Sequence, residues 1–273
     1  MNPTLLGEIT SGVDRVRSAI AQASRRTGMD FGYLYKQARI ESGLRPDAKA
    51  RTSSATGLYQ FIDQSWLAAL KRHGAKHGLQ WAADCIAADR RGRLCVTDPG
   101  ARAAIMNLRN EPEASALMAA ETAADNRQHI ERATGRTANA ADLYMGHFLG
   151  PKGAADFLGA MAADPNQRAD RILPAAAASN RPVFYAENGR PRSLAEIYDR
   201  FARKMDDDAG PLPAAQPVMM ADAAQGSDLP PLPMALARAL SADDGTPGPE
   251  EMFTKTRPEN ARLAYLMLAS MGA

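Results

Sequence analysis

Residues 31–61 read FGYLYKQARIESGLRPDAKARTSSATGLYQF, and they carry the clearest structural signals of the chain. Apolar side chains recur at helical spacing over its first part, and Asp30 stands directly before them as a residue type that caps helices. Gly43 ends the predicted helix. The pattern therefore predicts Glu41 in the last turn of a helix and predicts residues 47–61 as a loop or short hairpin.

The rest of the first 205 residues is predicted to form a compact bundle of short helices. Alanine is abundant and strand-forming residues are few, which favours helix over sheet. The predicted fold class is therefore all-α, or mainly α, with one small irregular or β segment after the helix that carries Glu41. Further helices are predicted over residues 4–25, from an Asp63 cap to Gly74 or Gly78, after Thr97-Asp98-Pro99, from Pro112 to about Thr134, and from Thr137 or Asn139 to Gly150-Pro151. The pattern Ser193-Leu194-Ala195-Glu196 predicts a capping box at the start of a last helix, whose apolar stripe is Leu194, Ile197, Tyr198 and Phe201.

The composition of the chain changes at Asp206. Of the 33 Lys+Arg and 31 Asp+Glu in the 273 residues, positions 206–273 hold four and ten, so this tail carries −6 and residues 1–205 carry +8. The segment 206–233 also holds six prolines, which is typical of a flexible linker. We therefore predict one domain over residues 1–205 and an acidic, proline-rich linker with a short helical, partly disordered tail over 206–273.

The basic body suits an anionic polymer as partner, such as cell-wall glycan, nucleic acid or a membrane surface. No motif supports nucleic-acid binding, so no nucleic-acid partner is predicted. No stretch of about 18 apolar residues occurs, so no membrane span is predicted either. The N-terminus lacks a cationic head followed by a long apolar run. The chain is therefore expected to be a mature form, or to be exported by a route that does not read such a signal.

The cysteines and histidines give two further expectations. Cys85 and Cys95 are ten residues apart and flank an arginine-rich segment, so they form a candidate disulfide, with two unrelated buried thiols as the alternative. His73 and His77 have the i,i+4 spacing of a metal site, but glycines interrupt their helix and no carboxylate completes the site. No metal is predicted.

Three motifs occur in order along the chain. They are Glu41-Ser42 followed by Pro46-Asp47-Ala48, then Gly57-Leu58-Tyr59-Gln60, and then Tyr144-Met145-Gly146-His147-Phe148-Leu149-Gly150-Pro151. Together they resemble the signature of the lytic transglycosylases with a goose-lysozyme-like catalytic domain, the soluble lytic transglycosylase family. The resemblance covers roughly residues 27–165 and implies a lysozyme-like helical domain.

The sequence departs from the family pattern at three places. Tyr59 stands where the family has methionine. The loop between the first two motifs is one residue longer than the common form, so the family's loop serine corresponds to Thr52 or Ser53. With the third motif aligned on its Gly-Pro, His147 holds the usual tyrosine position. Tyr144, nearly one helical turn earlier, is the other candidate for that role.

The resemblance implies cleavage of the β-1,4 bond between N-acetylmuramic acid and N-acetylglucosamine in peptidoglycan. A carboxyl group at a helix end, walled by apolar and aromatic residues, can be held protonated near neutral pH and can donate its proton to a leaving oxygen. Glu41 would be the sole acid and base, and would form 1,6-anhydro ends without water and without a cofactor. The implied substrate-binding residues are Ser42, Thr52, Ser53, Tyr59, Gln60, Tyr144 and His147.

Two other functions compete with this one. A muramidase would use water, with Asp47 or Asp63 as base, and would leave reducing ends. A catalytically inactive glycan-binding or scaffold protein would work mainly through the acidic tail. The expected location is the periplasm or cell wall, and the candidate partner of the tail is a flagellar, secretion or phage-tail assembly.

Overall fold

The computed structural model describes residues 3–51 and 53–206, with side chains from residue 12 onward. This part of the chain is mainly helical, which confirms the predicted all-α class. From residue 207 onward the predicted tail lies outside the described residues. The α-helices are α1 (Pro3–Thr27), α2 (Phe31–Ser42), α3 (Asp63–His73), α4 (Gln80–Asp84), α5 (Pro99–Asn107), α6 (Pro112–Thr134), α7 (Ala140–Ala163), α8 (Ala169–Ile172), α9 (Pro174–Ser179), α10 (Arg181–Phe184) and α11 (Leu194–Asp206). Two 3-10 helices (Gly74–His77 and Leu108–Asn110) and one antiparallel hairpin, β1 (Ala87–Ala88) with β2 (Leu94–Cys95), complete the assignment.

The described bundle is organised around α6. Helices α1, α3 and α7 all pack against it, and its buried face is largely alanine, which lets neighbouring helices approach closely. Gly146 of α7 marks one such approach, since a Cβ there would lie 3.2 Å from both Asn126 Cβ and Ile130 Cδ1. Helix α11 packs on α7 and on α2. This arrangement brings α2, α7 and α11 together, and their residues form the candidate site.

From residue 12 onward, most apolar side chains of the described helices are buried in this shared core or packed against it. Val13, 47% exposed, is the one large apolar side chain that is exposed among the residues with described side chains. No helix in residues 3–51 and 53–206 has the length and apolar character needed to cross a membrane.

Helix α2 begins and ends where the sequence predicts. The Asp30 side chain caps its first turn by accepting a hydrogen bond from the Tyr33 N–H at 2.7 Å. Gly43 closes the helix in the left-handed conformation, with φ of 62°, and its N–H bonds carbonyls of the last turn. The Ser42 hydroxyl lies 2.8 Å from the Leu58 carbonyl oxygen. The end of α2 is therefore tied to the loop that follows it.

That loop is the small irregular β segment predicted after α2. It contains isolated bridges between Lys49 and Thr56 and between Thr56 and Phe61. Gly57 adopts a left-handed conformation, with φ of 85°, and an added Cβ would lie 1.9 Å from the Arg109 carbonyl oxygen. A larger residue at this position would push the loop away from the 3-10 helix that packs against it.

Three features differ from the expectations. Asp63 is the first residue of α3 rather than its cap, and its carboxylate binds Arg109 and Arg102 instead. Helix α7 kinks at Gly150, where φ is 75°, and then continues, because Pro151 is tolerated in the first turn of the second segment. The sequence does not predict the hairpin of β1 and β2, since two-residue strands are too short to show an alternating pattern.

Helix α11 carries the predicted capping box. The Glu196 N–H bonds the Ser193 hydroxyl at 3.2 Å, and the Ser193 N–H bonds the Glu196 carboxylate at 2.8 Å. Tyr198, expected in the apolar stripe, is half-buried and donates its hydroxyl to the Asp142 carboxylate at 3.1 Å. The buried residues of this helix are Leu194, Ile197, Phe201 and Met205.

Candidate functional site

Glu41 is enclosed where α2, α7 and α11 meet. Its side chain has 0% exposure, and both carboxylate oxygens are buried. Neither oxygen accepts a hydrogen bond of good geometry from a described residue, although His147 Nε2 lies 3.2 Å from Oε1, within ion-pair distance. Leaving a buried polar group so sparsely paired costs a fold about 1–3 kcal/mol. Such groups are concentrated at functional sites.

Tyr144 and His147, one turn apart on α7, both lie beside Glu41. Their rings stack with centroids 5.9 Å apart and 26° between the planes. Burial raises the pKa of Tyr144 well above its usual value, and the nearby Glu41 carboxylate raises it further. Tyr144 therefore stays a neutral phenol that can donate a hydrogen bond. The sequence left open whether Tyr144 or His147 holds the family's tyrosine position. In the structure, both side chains lie next to Glu41.

Tyr33 is a third aromatic neighbour, and it lies outside the three sequence motifs. It stands two turns before Glu41 on α2 and is 4% exposed. Burial raises its pKa, and the Glu41 charge adds to that effect. Tyr33 also lines a cavity of about 500 Å³, together with Asp30 and Arg127. Tyr33 therefore contacts the cavity and also lies within the electrostatic influence of Glu41.

Helix α11 supplies Phe201 and Lys204 to the site. The Phe201 ring centroid is 5.7 Å from that of Tyr144, and Lys204 Nζ is 5.1 Å from the Tyr144 centroid. Burial lowers the pKa of Lys204, while the Glu41 charge acts to raise it. The site therefore holds a cation close to Glu41, contributed by a helix that lies beyond the residues covered by the family resemblance.

Three predicted substrate-binding residues hold the fold instead. The Ser42 hydroxyl donates its hydrogen bond to backbone carbonyl oxygens, including that of Leu58. The Gln60 side-chain N–H groups donate to two loop carbonyls at 2.9 and 3.0 Å. Tyr59 is 1% exposed, and its hydroxyl donates to the Leu34 carbonyl oxygen at 3.1 Å. Because their polar hydrogens are already bound, these residues shape the loop and core around α2 rather than present groups to a ligand.

The structure describes only one of the two candidates for the family's loop serine. Ser53 is half-buried, and its hydroxyl oxygen accepts a hydrogen bond from the Ala55 N–H at 3.3 Å. Thr52 lies outside the described residues. The correspondence of either residue to the family's loop serine stays a prediction.

Arg109 fixes the loop that follows α2, although no motif in the sequence marks this residue. Its guanidinium donates to the carbonyl oxygens of Ser54 at 2.8 Å and Phe61 at 3.1 Å, and it pairs with Asp63 at 2.9 Å. Burial lowers the pKa of Arg109, while the Asp63 charge acts to raise it. These partners are 46–55 residues away along the chain, so no local pattern marks the contact.

The candidate disulfide is not formed in the structure. Cys85 and Cys95 are free, half-buried thiols. Ala87, and not Cys85, stands opposite Cys95 in the hairpin, so the two cysteines are out of register by two residues. Cys85 lies at the end of α4 and is not part of the hairpin, whereas Cys95 is the last residue of β2.

His73 and His77 do have a carboxylate beside them, contrary to the expectation. Glu121 lies 3.3 Å from His73 Nδ1 and 2.8 Å from His77 Nε2, and Asp125 lies 2.8 Å from His73 Nε2. Burial lowers the pKa of His77, against the effect of its hydrogen bond with Glu121. These side chains bind one another, and no group of three or more ligands suited to a metal ion occurs within the described part of the chain.

No model of a known protein family matches this chain. The chemistry of the site is therefore inferred from its own groups. A carboxyl group beside a phenol and an imidazole can release and recover one proton and can orient a polar substrate. Of the two aspartates considered as bases for a water molecule, Asp63 is bound by two arginines and Asp47 is exposed on its loop.

Proposed function

We propose that this protein is a peptidoglycan lytic transglycosylase in which Glu41 is both the acid and the base. The observation that carries the proposal is one enclosed carboxyl group at the end of α2, with His147 Nε2 at 3.2 Å and the Tyr144 phenol close by. The order of the three sequence motifs supports the same activity.

In the first step, Glu41 donates its proton to the glycosidic oxygen. The bond between that oxygen and C1 of N-acetylmuramic acid breaks, and the acetamido group of the same sugar stabilises the positive charge that develops at C1. Tyr144 and His147 hold the carboxyl group and the acetamido group in position. Groups fixed before the reaction in this way stabilise charge without reorganising during it.

In the second step, the C6 hydroxyl of the same sugar attacks C1. The Glu41 carboxylate takes the hydroxyl proton, the new bond between O6 and C1 closes the 1,6-anhydro ring, and Glu41 is protonated again. No water is consumed. Because one residue gives and recovers the proton, a single carboxyl group suffices, whereas the usual hydrolases need two. The engagement of Asp63 with Arg109 and Arg102 supports this mechanism over the muramidase alternative.

Mass spectrometry of peptidoglycan digests tests the proposal. We expect the wild type to release fragments with anhydro ends, and the nearly isosteric Glu41→Gln variant to lose at least about a hundredfold of the activity. Asp47→Asn changes a second carboxyl group close by in sequence and is the matched control, with activity expected to be unchanged. Reducing ends together with loss of activity in Asp47→Asn would indicate a muramidase. Undiminished cleavage by Glu41→Gln would exclude Glu41 as the acid.

A further inference from the structure

Lys204 is a cation without a partner at the edge of the site. Within the described part of the chain, no carboxylate lies within ion-pair distance of its ammonium group, and no acceptor forms a hydrogen bond with it. Its nearest aromatic contact is the face of Tyr144, with Nζ 5.1 Å from the ring centroid. The side chain is half-buried. Most cations in such surroundings are paired with a carboxylate.

The position of this cation is fixed by α11. Phe201 and Met205, which flank Lys204 along the helix, are both buried. Lys36 of α2 donates from Nζ to the Met205 carbonyl oxygen at 3.0 Å. Because the helix is held on both sides of Lys204, the ammonium group is kept against Tyr144 and close to the enclosed carboxyl group.

Burial makes the charged form of this ammonium group less favourable than it is in water. The Glu41 charge and a cation–π contact, which is worth about 0.5–2 kcal/mol, offset that cost only in part. Arg203, the neighbouring residue on α11, is exposed and bears the same charge in water at little cost. The contrast between the two residues indicates that the charge of Lys204 has a use at this point of the molecule.

We propose that Lys204 binds a carboxylate carried by the muramyl residue of the substrate, beside the bond that is cleaved. This inference rests on the proposed function. The sugars of a peptidoglycan strand carry hydroxyl and acetamido groups, which are neutral. Carboxylates occur on the stem peptide or, where a muramyl residue carries no peptide, on its lactyl group, because the attached peptide converts the lactyl carboxyl into an amide. A cation beside Glu41 therefore selects muramyl residues over N-acetylglucosamine and fixes which side of the bond faces the acid.

Binding to insoluble peptidoglycan, measured by cosedimentation of the full chain, tests this role. All variants are made in the Glu41→Gln background, which prevents turnover. Lys204→Met and Arg203→Met remove the same charge from neighbouring residues, and Lys204→Arg keeps it. We expect Lys204→Met to weaken binding about tenfold, as is typical of a lost charge-assisted hydrogen bond. Arg203→Met and Lys204→Arg are expected to change it less than about threefold.

Chemical amidation of the peptidoglycan carboxylates supplies the second half of the test. Amidation is expected to weaken binding of the Glu41→Gln protein more than that of Lys204→Met, because the other basic residues attract the carboxylates in both proteins and only the first has the Lys204 cation. Equal losses in Lys204→Met and Arg203→Met would overturn the proposal, as would a Lys204→Met deficit that persists on amidated material. An amidase removes the stem peptide and leaves a lactyl carboxylate in its place. On such strands, a surviving Lys204 effect shows that Lys204 binds the lactyl carboxylate of peptide-free muramyl residues, and a vanished one restricts its ligand to the stem peptide.

The proposed function and the role of Lys204 fail in different ways. If the wild type cleaves no peptidoglycan but Lys204→Met still weakens binding to native material alone, the enzymatic proposal is wrong and the carboxylate site stands. If the wild type produces anhydro ends and Lys204→Met binds as tightly as its parent, the enzymatic proposal stands and the role of Lys204 is excluded.

Discussion

At the scale of single residues, the burial of Glu41 among its neighbours lowers the stability of the fold and, in the proposed mechanism, makes its carboxyl group reactive. A carboxyl group with 0% side-chain exposure, which accepts no hydrogen bond of good geometry from the described residues, weakens the fold. In the proposed mechanism, the same lack of partners leaves it available to the substrate. His147 and Tyr144 come from α7, while Glu41 ends α2. Any movement between these two helices therefore changes the distance between the acid and the groups that orient it.

Replacing His147 by phenylalanine should separate the chemical role of this residue from its packing role. The ring would still stack on Tyr144, but the nitrogen 3.2 Å from Glu41 Oε1 would be lost. We expect kcat to fall about ten- to a hundredfold with little change in KM, because the imidazole nitrogen no longer positions the carboxyl group for the reaction.

The matched control for that variant is His129→Phe. His129 is half-buried on α6, away from α2 and α11 in sequence, and the same substitution there should leave kcat unchanged. Steady-state kinetics on soluble glycan strands measure both. If His147→Phe keeps the wild-type kcat, its contact with Glu41 has no part in the reaction.

At the scale of elements, the loop after α2 depends on Arg109. We expect Arg109→Met to reduce the free energy of unfolding by about 3 kcal/mol, because it leaves buried carbonyl oxygens and the Asp63 carboxylate without their donor. Arg102→Met removes the exposed partner of the same Asp63 and should cost less than about 1 kcal/mol. Urea unfolding of the two variants measures the difference, and equal costs would contradict the anchoring role of Arg109.

The first turn of α11 should respond to acid through Glu196. Its hydrogen bond from Arg190, and then that from the Ser193 N–H, lower the pKa of Glu196 from 4.5 to about 2. A carboxylate with a depressed pKa in the folded state stabilises the fold above its unfolded pKa and loses that contribution as the pH falls through the folded value. The contribution of Glu196 is therefore complete at pH 6 and declines between pH 4.5 and 2.

Glu196→Gln should accordingly lower stability by about 1 kcal/mol at pH 6, the usual value of a helix cap. The deficit should shrink when thermal unfolding is repeated at decreasing pH down to pH 3. Glu187→Gln changes an exposed glutamate before α11 and should show no such trend. A deficit for Glu196→Gln that stays constant from pH 6 to pH 3 would show that the capping box does not depend on the charge of this residue.

At the scale of the molecule, the sequence predicts contacts between neighbouring residues but not contacts between residues that are far apart along the chain. Asp30, Gly43 and the capping box of α11 are set by neighbouring residues, and the structure has them as expected. Lys204 and Arg109 reach the site from distant parts of the chain, and no periodicity or motif records such contacts. The solvent exposure of an individual motif side chain cannot be read from such local patterns either.

The exposure of side chains explains why some residues have a different role in the structure from the one that the sequence predicts. Tyr59 stands at a motif position, so the sequence predicts contact with a substrate, but the structure buries it with its hydroxyl bonded to Leu34. The third motif was ambiguous for a different reason. Tyr144 and His147 are one turn apart on the same helical face, and a linear alignment has to choose between them while the fold uses both.

The source of the oxygen at the cleaved bond shows directly whether the nucleophile is the C6 hydroxyl of the sugar or a water molecule. Peptidoglycan is digested by the wild-type protein in water enriched in heavy oxygen, and the released muramyl ends are weighed by mass spectrometry. If Glu41 acts alone through the C6 hydroxyl, the ends are anhydro sugars, lighter by one water than reducing ends, and carry no label. Reducing ends that carry the heavy oxygen would show that water is the nucleophile and would contradict the account.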